Sequence, residues 1–371
     1  MHRSNPGANL AALRGHNAAL VLGLLRDAGA GGVSRLELAE RTGLTPQAVS
    51  KITARLRADG FAADAGRRAS TGGKPATVLR LVPDAGHAIG LHLDRDELTA
   101  VRTDLAGRTV ASRTAPLDFG AGAAAVVEEA ARAAEALMGE AGAGRAVLGA
   151  GVAAPGPLDH RDGVLRRVTG FPRWDGFPLR AALAARLALP VVVDKDTNAA
   201  ALGLAAGAAG ADSFAYLHLG TGLGAGLVLG GGVYRGERTG AGEFGHQVVQ
   251  LDGPPCGCGG RGCIEALCLA AVAAGDTAGA ARLLGVGAAN LVRLLDVDRV
   301  LLGGRTLLAA ADTYVRGVGA ALADDAARGD GRTVPVAVAP GGVRTVVEGA
   351  AELVLAPLFG RAGGAFPVRS D

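Results

Sequence analysis

The 371-residue sequence has no window of about 18 uninterrupted apolar residues, so no membrane-spanning helix is evident. Its start, "MHRSNPGANL", lacks the apolar run of a secretory leader. The expected location is therefore the cytoplasm, with no membrane partner. Cysteine is scarce: there are four, and three of them, Cys256, Cys258 and Cys263, fall within eight residues. In a reducing compartment such a cluster points to metal ligation or catalysis and away from a disulfide framework. Apolar residues make up 49% and charged residues 20%, which fits a soluble globular chain with ample core and two or three domains.

Acidic residues are sparse at the beginning. Residues 1–84 hold 12 Lys+Arg against 6 Asp+Glu, a net of +6, while the whole chain is +3 and residues 85–371 are therefore −3. A basic head on a mildly acidic body suggests that the head meets a polyanion.

The head carries a pattern that fits this. "NAALVLGLLRDAG" places Leu20 and Leu24 at helical spacing, with Gly29 as a stop. In "SRLELAERTG", Ser34 and Glu37 read as a capping box, with Leu36 and Ala39 on one face. Gly43 ends that helix. Thr45 caps the next, with Pro46 at its first position and Val49, Ile52 and Leu56 inside. Helix, short Gly-containing turn and helix make a helix-turn-helix. Thr45, Gln47, Ser50, Lys51 and Arg55 stand off the apolar stripe and are the candidate DNA contacts. "FAADAGRRASTGGKPATVLRLV" reads as two short strands and a basic loop, a wing that offers Arg67, Arg68 and Lys74 to phosphate or the minor groove.

The remainder alternates strands and helices in an α/β pattern. "GHAIGLHLDRDELTAVRTDLAGRTVASRTA" predicts consecutive antiparallel strands, and a helix follows over about 122–140. "AVLGAGVAAPGPL" and "LPVVVDKD" read as buried strands, and near residue 200 the order restarts with "FAYLHLGTGLGAGLVLGG". Two similar lobes with a cleft between them fit. Gly220, Thr221, Gly222, Gly224 and Gly226 lie between two strands with no helix following. This argues against a dinucleotide or P-loop fingerprint and leaves a tight hairpin as the plain alternative.

His246 stands ten residues before Cys256. With Cys256, Cys258 and Cys263 it supplies one imidazole and three thiolates, a set that zinc accepts tetrahedrally in closed structural sites. One structural zinc per chain is expected. A Cys-x-Cys pair strains an intramolecular disulfide. Cys268 falls within a predicted helix as a buried thiol.

The motifs "APGPLD" (154–159), "DKDTNAAALG" (194–203), "HLGTGLGAGLVLGG" (218–231), "GEFGH" (242–246) and "CGCGGRGCIE" (256–265) occur in one order over nearly the whole chain. Together they resemble the ROK family of repressors, open reading frames and sugar kinases. The head and "STGGKPATVLRL" resemble its repressor branch. The resemblance implies a winged helix-turn-helix followed by a duplicated actin-like, ribonuclease-H-like domain of two lobes, with a sugar in the cleft. It implies a sugar contact at Asp196, where the kinases keep their general base, and further contacts at Glu243, His246 and Glu265. The zinc then stiffens the segment that presents them. The divisions expected are 1–84 for the head, 85–199 for lobe 1 and 200–371 for lobe 2, with the last helix returning to lobe 1.

Three departures qualify the resemblance. The kinases open with Asp-x-Gly-Gly-Thr, and here the matching residues are His92, Leu93, Asp94, Arg95 and Asp96. The glycine pair is gone and acidic residues would repel a triphosphate, so kinase activity is not expected and Asp196 reads as a ligand contact. The family's asparagine before the tryptophan is missing from "GFPRWDGF", and the one before Asp196 is Lys195, a candidate cation for a charged sugar. The stretch after Cys263 reads as shortened. The expected function is a regulator of carbohydrate metabolism, a homodimer or higher homo-oligomer read as a repressor, that binds an operator in double-stranded DNA and responds to a sugar or sugar-derivative effector. The alternatives are a sugar kinase with an accessory head, and a regulator that has lost sugar binding.

Overall fold

The computed structural model describes residues 15–68, 76–140, 146–207, 213–328 and 331–361, and among these three helices and a small sheet belong to the head. They are α1 (His16–Ala28), β1 (Val33–Ser34), α2 (Arg35–Thr42), α3 (Pro46–Ala58), β2 (Ala62–Arg68) and β3 (Ala76–Leu81), with the antiparallel sheet in the order β1-β3-β2. The caps sit where the sequence places them. The Ser34 hydroxyl accepts from the Glu37 N–H while the Glu37 carboxylate accepts from the Ser34 N–H. Gly43 leaves α2 at φ 70°, a left-handed conformation that a side chain would resist. The Thr45 hydroxyl accepts from the Ala48 N–H, and Pro46 is the first residue of α3.

Two inner faces differ from expectation. In α1 the buried residues include Val21, Leu22 and Leu25, while Leu20 and Leu24 are only half-buried. In α2 Leu38 is buried and Leu36 is 66% exposed. Positions two apart on an α-helix point about 200° from one another, so packing Leu38 inward turns Leu36 to solvent. The wing loop over 69–75, with Lys74, lies outside the described residues. Arg67 and Arg68 are placed by their backbone in β2, paired with Thr77 and Ala76.

The first lobe contains β4 (His87–Leu93), β5 (Glu97–Asp104), β6 (Thr109–Pro116), α4 (Ala123–Gly139), β7 (Val147–Ala154), the small hairpin β8 (Leu158–Asp159) and β9 (Val164–Leu165), α5 (Leu179–Leu187), β10 (Val191–Lys195) and α6 (Asp196–Gly207). The second contains β11 (Phe214–Leu219), β12 (Leu223–Leu229), β13 (Gly232–Val233), α7 (Ile264–Ala273), α8 (Thr277–Leu295), β14 (Arg299–Gly303), α9 (Arg305–Leu308), α10 (Ala311–Arg328) and β15 (Val336–Val338). A last helix, α11 (Thr345–Leu355), follows.

The two large sheets repeat one topology, β10-β7-β4-β5-β6 and β13-β12-β11-β14-β15. In each, the first strand in sequence pairs antiparallel with the second and parallel with the fourth. The third pairs antiparallel with the second, and the fifth pairs parallel with the fourth. This is the duplicated architecture expected from the resemblance.

The expected division at 199/200 falls inside α6, because one helix carries the chain from the first sheet to the second. The helix α11, the last α-helix among the described residues, packs on β4, β7 and α6 of the first lobe. Its approach is close: a Cβ on Gly151 of β7 would stand 1.8 Å from the Ala350 carbonyl oxygen. The head shares one apolar core with this region, whose members include Leu22 and Leu25 of the head and Leu148, Ala351, Leu355 and Phe359. The helix α8 is long and apolar enough to cross a bilayer by composition, and half of that stretch is buried inside the second lobe.

Candidate functional site

The duplicated topology brings the C-terminal end of β10, the β4–β5 turn and the β11–β12 turn to the cleft between the lobes. One cavity there is lined by all five residues read as sugar contacts, Lys195, Asp196, Glu243, His246 and Glu265, and by Asp94, Arg95, Thr169 and Thr221. Its volume is about 70 Å³, space for only a few waters.

Local structure fixes each group. Asp196 begins α6, and its Oδ1 accepts from the Thr197 N–H at 2.6 Å. Glu243 precedes the one-turn helix Phe244–His246. Glu265 lies in the first turn of α7, and its Oε2 accepts from the Leu223 N–H at 2.8 Å, which ties it to the Gly-rich hairpin. That hairpin is tight, with the Gly220 N–H donating to the Gly222 carbonyl, and no helix follows it. Gly226 has a separate reason to be glycine. A Cβ there would lie 2.0 Å from the Thr197 carbonyl oxygen, so β12 could not approach α6.

Lys195, expected as a cation offered to a ligand, lines the cavity but is already engaged within the protein. Its side chain is 3% exposed, and Nζ donates to Glu243 Oε1 at 2.9 Å and to the Ala241 carbonyl at 2.6 Å. A buried ammonium needs a counter-charge, and Glu243 supplies it. Beneath this pair a second buried ion pair was not anticipated. Asp194 accepts from Arg235 Nε at 2.6 Å, from the Lys195 N–H and from Asn198. The position of Asp194 one residue before Lys195 was visible, but the partner 41 residues later was not.

The β4–β5 turn holds the residues that replace the glycine pair. Asp94 accepts from the Arg95 N–H at 2.7 Å and from the Thr221 hydroxyl at 2.8 Å. Burial pushes its carboxyl up, but His92, these two donors and Arg305 hold it below the ordinary carboxylate range. Arg305 also pairs with Asp96. The Arg95 guanidinium reaches across to the Thr221 carbonyl at 3.5 Å. Side chains of the first lobe thus bridge to the second where a glycine loop would leave open backbone. Burial keeps His92 beside them below the usual imidazole pKa, although Asp94 and Asp196 pull the other way.

His246, Cys256, Cys258 and Cys263 come together, with one ligand atom from each all within 4.8 Å of one another. The Cys258 and Cys263 sulfurs are 3.8 Å apart, and His246 Nδ1 is 3.8 Å from the Cys256 sulfur. For bonds of about 2.3 Å, the edge of a tetrahedral thiolate shell is about 3.8 Å. The set therefore fits a tetrahedral ion. The turns that allow it use Gly259 at φ 91° and Gly262 at φ 65°. Burial pushes the Cys263 thiol to about 12 and the Cys256 thiol upward, while the Gly260 N–H draws Cys258 down. A bound cation would supply the charge that the buried thiolates lack. The cluster also joins two pieces of the cleft. His246 turns Nδ1 to the sulfurs and Nε2 toward Glu243 Oε2 at 4.0 Å, while Cys263 is the residue before α7, which carries Glu265. Cys268 is buried in α7 away from the ligand set.

In the head, Thr45, Gln47, Ser50, Lys51 and Arg55 are all exposed on or beside α3, while Val49 and Leu56 are buried and Ile52 is half-buried. Arg55 lies 3.9 Å from Asp59, within reach of an i,i+4 pairing, and Arg57 is held by Asp64 at 3.0 Å.

Comparisons with known proteins agree with this geometry. Residues 89–274 match the ROK family and residues 20–61 a winged helix-turn-helix DNA-binding family. The chain is 27% identical over 242 residues to a putative xylose repressor of Caldicellulosiruptor sp. (strain Rt8B.4), covering 63% of this chain and 59% of that one. It thus spans less than two thirds of that relative's length. The crystal structure of a ROK hexokinase from Thermus thermophilus is similar over 72% of this chain and 97% of its own, at 34% identity and TM-score 0.60. A ROK family transcriptional regulator described as a homologue of the E. coli MLC protein shares the fold over 93% of this chain and 98% of its own, with TM-score 0.72 and 20% identity. By the match of residues 89–274, by its similarity to the hexokinase and by its duplicated two-lobed fold, the chain belongs to the ROK family.

Proposed function

We propose that this chain is a transcriptional regulator, a repressor, whose head (1–84) reads double-stranded DNA and whose cleft takes a neutral sugar. The observation that carries it is the β4–β5 turn. A kinase of this fold must open that turn to nucleotide phosphate. Here Asp94, Arg95 and Asp96 fill it and are bonded across the cleft to Thr221 and Arg305. Acidic side chains there repel a triphosphate, so Asp196 acts as a ligand acceptor and not as a general base.

Asp196 Oδ2, Glu243 Oε2 and Glu265 Oε1 have no hydrogen-bond partner among the described residues, and His246 Nε2 faces the same space. These groups suit the hydroxyls of one pyranose. With Glu243 against Lys195, and with Asp94, Asp196 and Glu265 outnumbering Arg95 at the lining, the cleft has no cation surplus to favour a carboxylate or phosphate substituent. A zinc ion on His246, Cys256, Cys258 and Cys263 would fix the wall that carries Glu243 and Glu265, in a structural role with all four positions taken by protein. Operators of such heads are palindromic when the reader is a homodimer, and we assign that state here.

The test is a thermal-shift screen of neutral sugars, sugar acids and sugar phosphates, with ATP hydrolysis measured on the same panel. A ligand at a hundred times its dissociation constant adds about 2.7 kcal/mol. Stabilisation by a neutral sugar without ATP turnover supports the reading. Sugar-dependent hydrolysis would replace it with a kinase. A second reading, a regulator that no longer binds sugar, is favoured by the 70 Å³ cavity. Absence of any shift in DNA-binding protein selects that reading.

A further inference from the structure

The cleft and the head are joined by a continuous route of helix and side-chain bridges, which runs along a cavity of about 510 Å³ lined by Arg26, Glu352 and Arg361. Asp196, in the cleft, is the first residue of α6, and Ala206 is in its last turn. The Ala206 carbonyl accepts from Arg361 Nη1 at 2.5 Å, and the other nitrogen of the same guanidinium donates to Asp27, in the last turn of α1, at 2.6 Å. One helix therefore has its first residue in the cleft and its end tied to the head.

A second connection runs beside the first. The middle of α6 rests on α11 through glycines. A Cβ on Gly349 would lie 2.0 Å from the Ala199 carbonyl oxygen, and one on Gly203 would lie 2.8 Å from the Gly349 Cα. Backbone-to-backbone contact leaves no flexible side chain to absorb a shift of α6. Three residues beyond Gly349, Glu352 makes a bidentate pair with Arg26 of α1 at 2.7 and 2.8 Å, with side chains 6% and 10% exposed. The Arg26 guanidinium also lies 4.6 Å from the Phe359 ring centroid.

We infer that the Arg26–Glu352 pair and the Asp27–Arg361–Ala206 bridge are the joint through which occupancy of the cleft changes the placement of the head. The inference rests on the proposed DNA reading. A ligand shifts the equilibrium only by its differential affinity for two placements, and by linkage DNA on the head must act back on the cleft. This return effect can be measured without knowing the effector.

The experiment selects a duplex from a random-sequence pool with the full chain and follows amide hydrogen exchange with and without it. In the wild type the duplex should change exchange over residues 196–200 and 243–246 about five-fold or more. In Arg361→Met, and in the double variant Arg26→Met with Glu352→Met, that response at the cleft should vanish while the duplex still protects α3. The double variant replaces both charges by apolar chains, which keeps a buried pair's site packed. A cleft response that survives in either variant overturns the inference. So does a wild type in which bound duplex leaves the cleft unchanged. A pool that yields no duplex instead sinks the DNA reading, and the inference falls with it.

Discussion

Replacing Glu243 tests whether Lys195 is a structural cation or one offered to a ligand. The Lys195 side chain is 3% exposed and that of Glu243 39%, so the pair is buried on one side only. In Glu243→Gln the ammonium stays in place with the Ala241 carbonyl and a neutral amide oxygen. Removing one partner of a fully buried pair costs about 3–5 kcal/mol, and water on the Glu243 side should reduce this to about 2–3. Lys195→Met removes the charge itself, and loses its bonds to Ala241 and Glu243 while keeping an apolar stem, at about 1 kcal/mol. The double variant should then cost about 1 kcal/mol as well, which leaves a coupling of about 2–3 kcal/mol in a double-mutant cycle. Urea unfolding followed by tryptophan fluorescence suits the measurement, because the sole tryptophan, Trp174, is 2% exposed in the same lobe. Additive losses, or a Glu243→Gln variant as stable as the wild type, would refute the pairing argument and return Lys195 to the ligand.

Three further outcomes are expected. Purified protein should hold about one zinc per chain by elemental analysis, and Cys258→Ser should lower metal content and melting temperature together, because metal-binding free energy is also folding free energy. Lys51→Ala should weaken binding to the selected duplex by about 1–3 kcal/mol if the side chain reaches a base edge, or uniformly with a shallower salt dependence if it reaches phosphate, as anisotropy titrations would show. Point variants are the better probe of the head, since deleting it would expose the core that it shares with Leu148, Ala351 and Phe359. Gly349→Ala should destabilise by about 1–3 kcal/mol, because its Cβ meets the Ala199 and Ala200 backbone and not a side chain that can turn away. A melting curve unchanged by that substitution would mean that α6 and α11 are not in such close contact.

The sequence by itself determined features whose cause is local. The Ser34–Glu37 box, the Gly43 exit and the Thr45–Pro46 start of α3 depend on neighbours within four residues, and each stands as read. The His246, Cys256, Cys258 and Cys263 set was legible because a short glycine-rich stretch can close on itself, and the fold was legible in the ordered motifs. The sequence was less decisive about faces. Leu36 satisfied the spacing of an apolar stripe as Leu38 did, and only packing against the rest of the head chose between them.

Tertiary structure alone decided the pairings. Lys195 with Glu243, Asp194 with Arg235, and Arg26 with Glu352 lie 48, 41 and 326 residues apart. No local rule joins such residues; they meet because the repeated β-α topology brings distant strand ends and helices to one cleft and one joint. A buried charge must take whichever opposite charge the fold delivers. The sequence could therefore show that Lys195 stands beside Asp196, while only the folded chain could show that its charge is already matched.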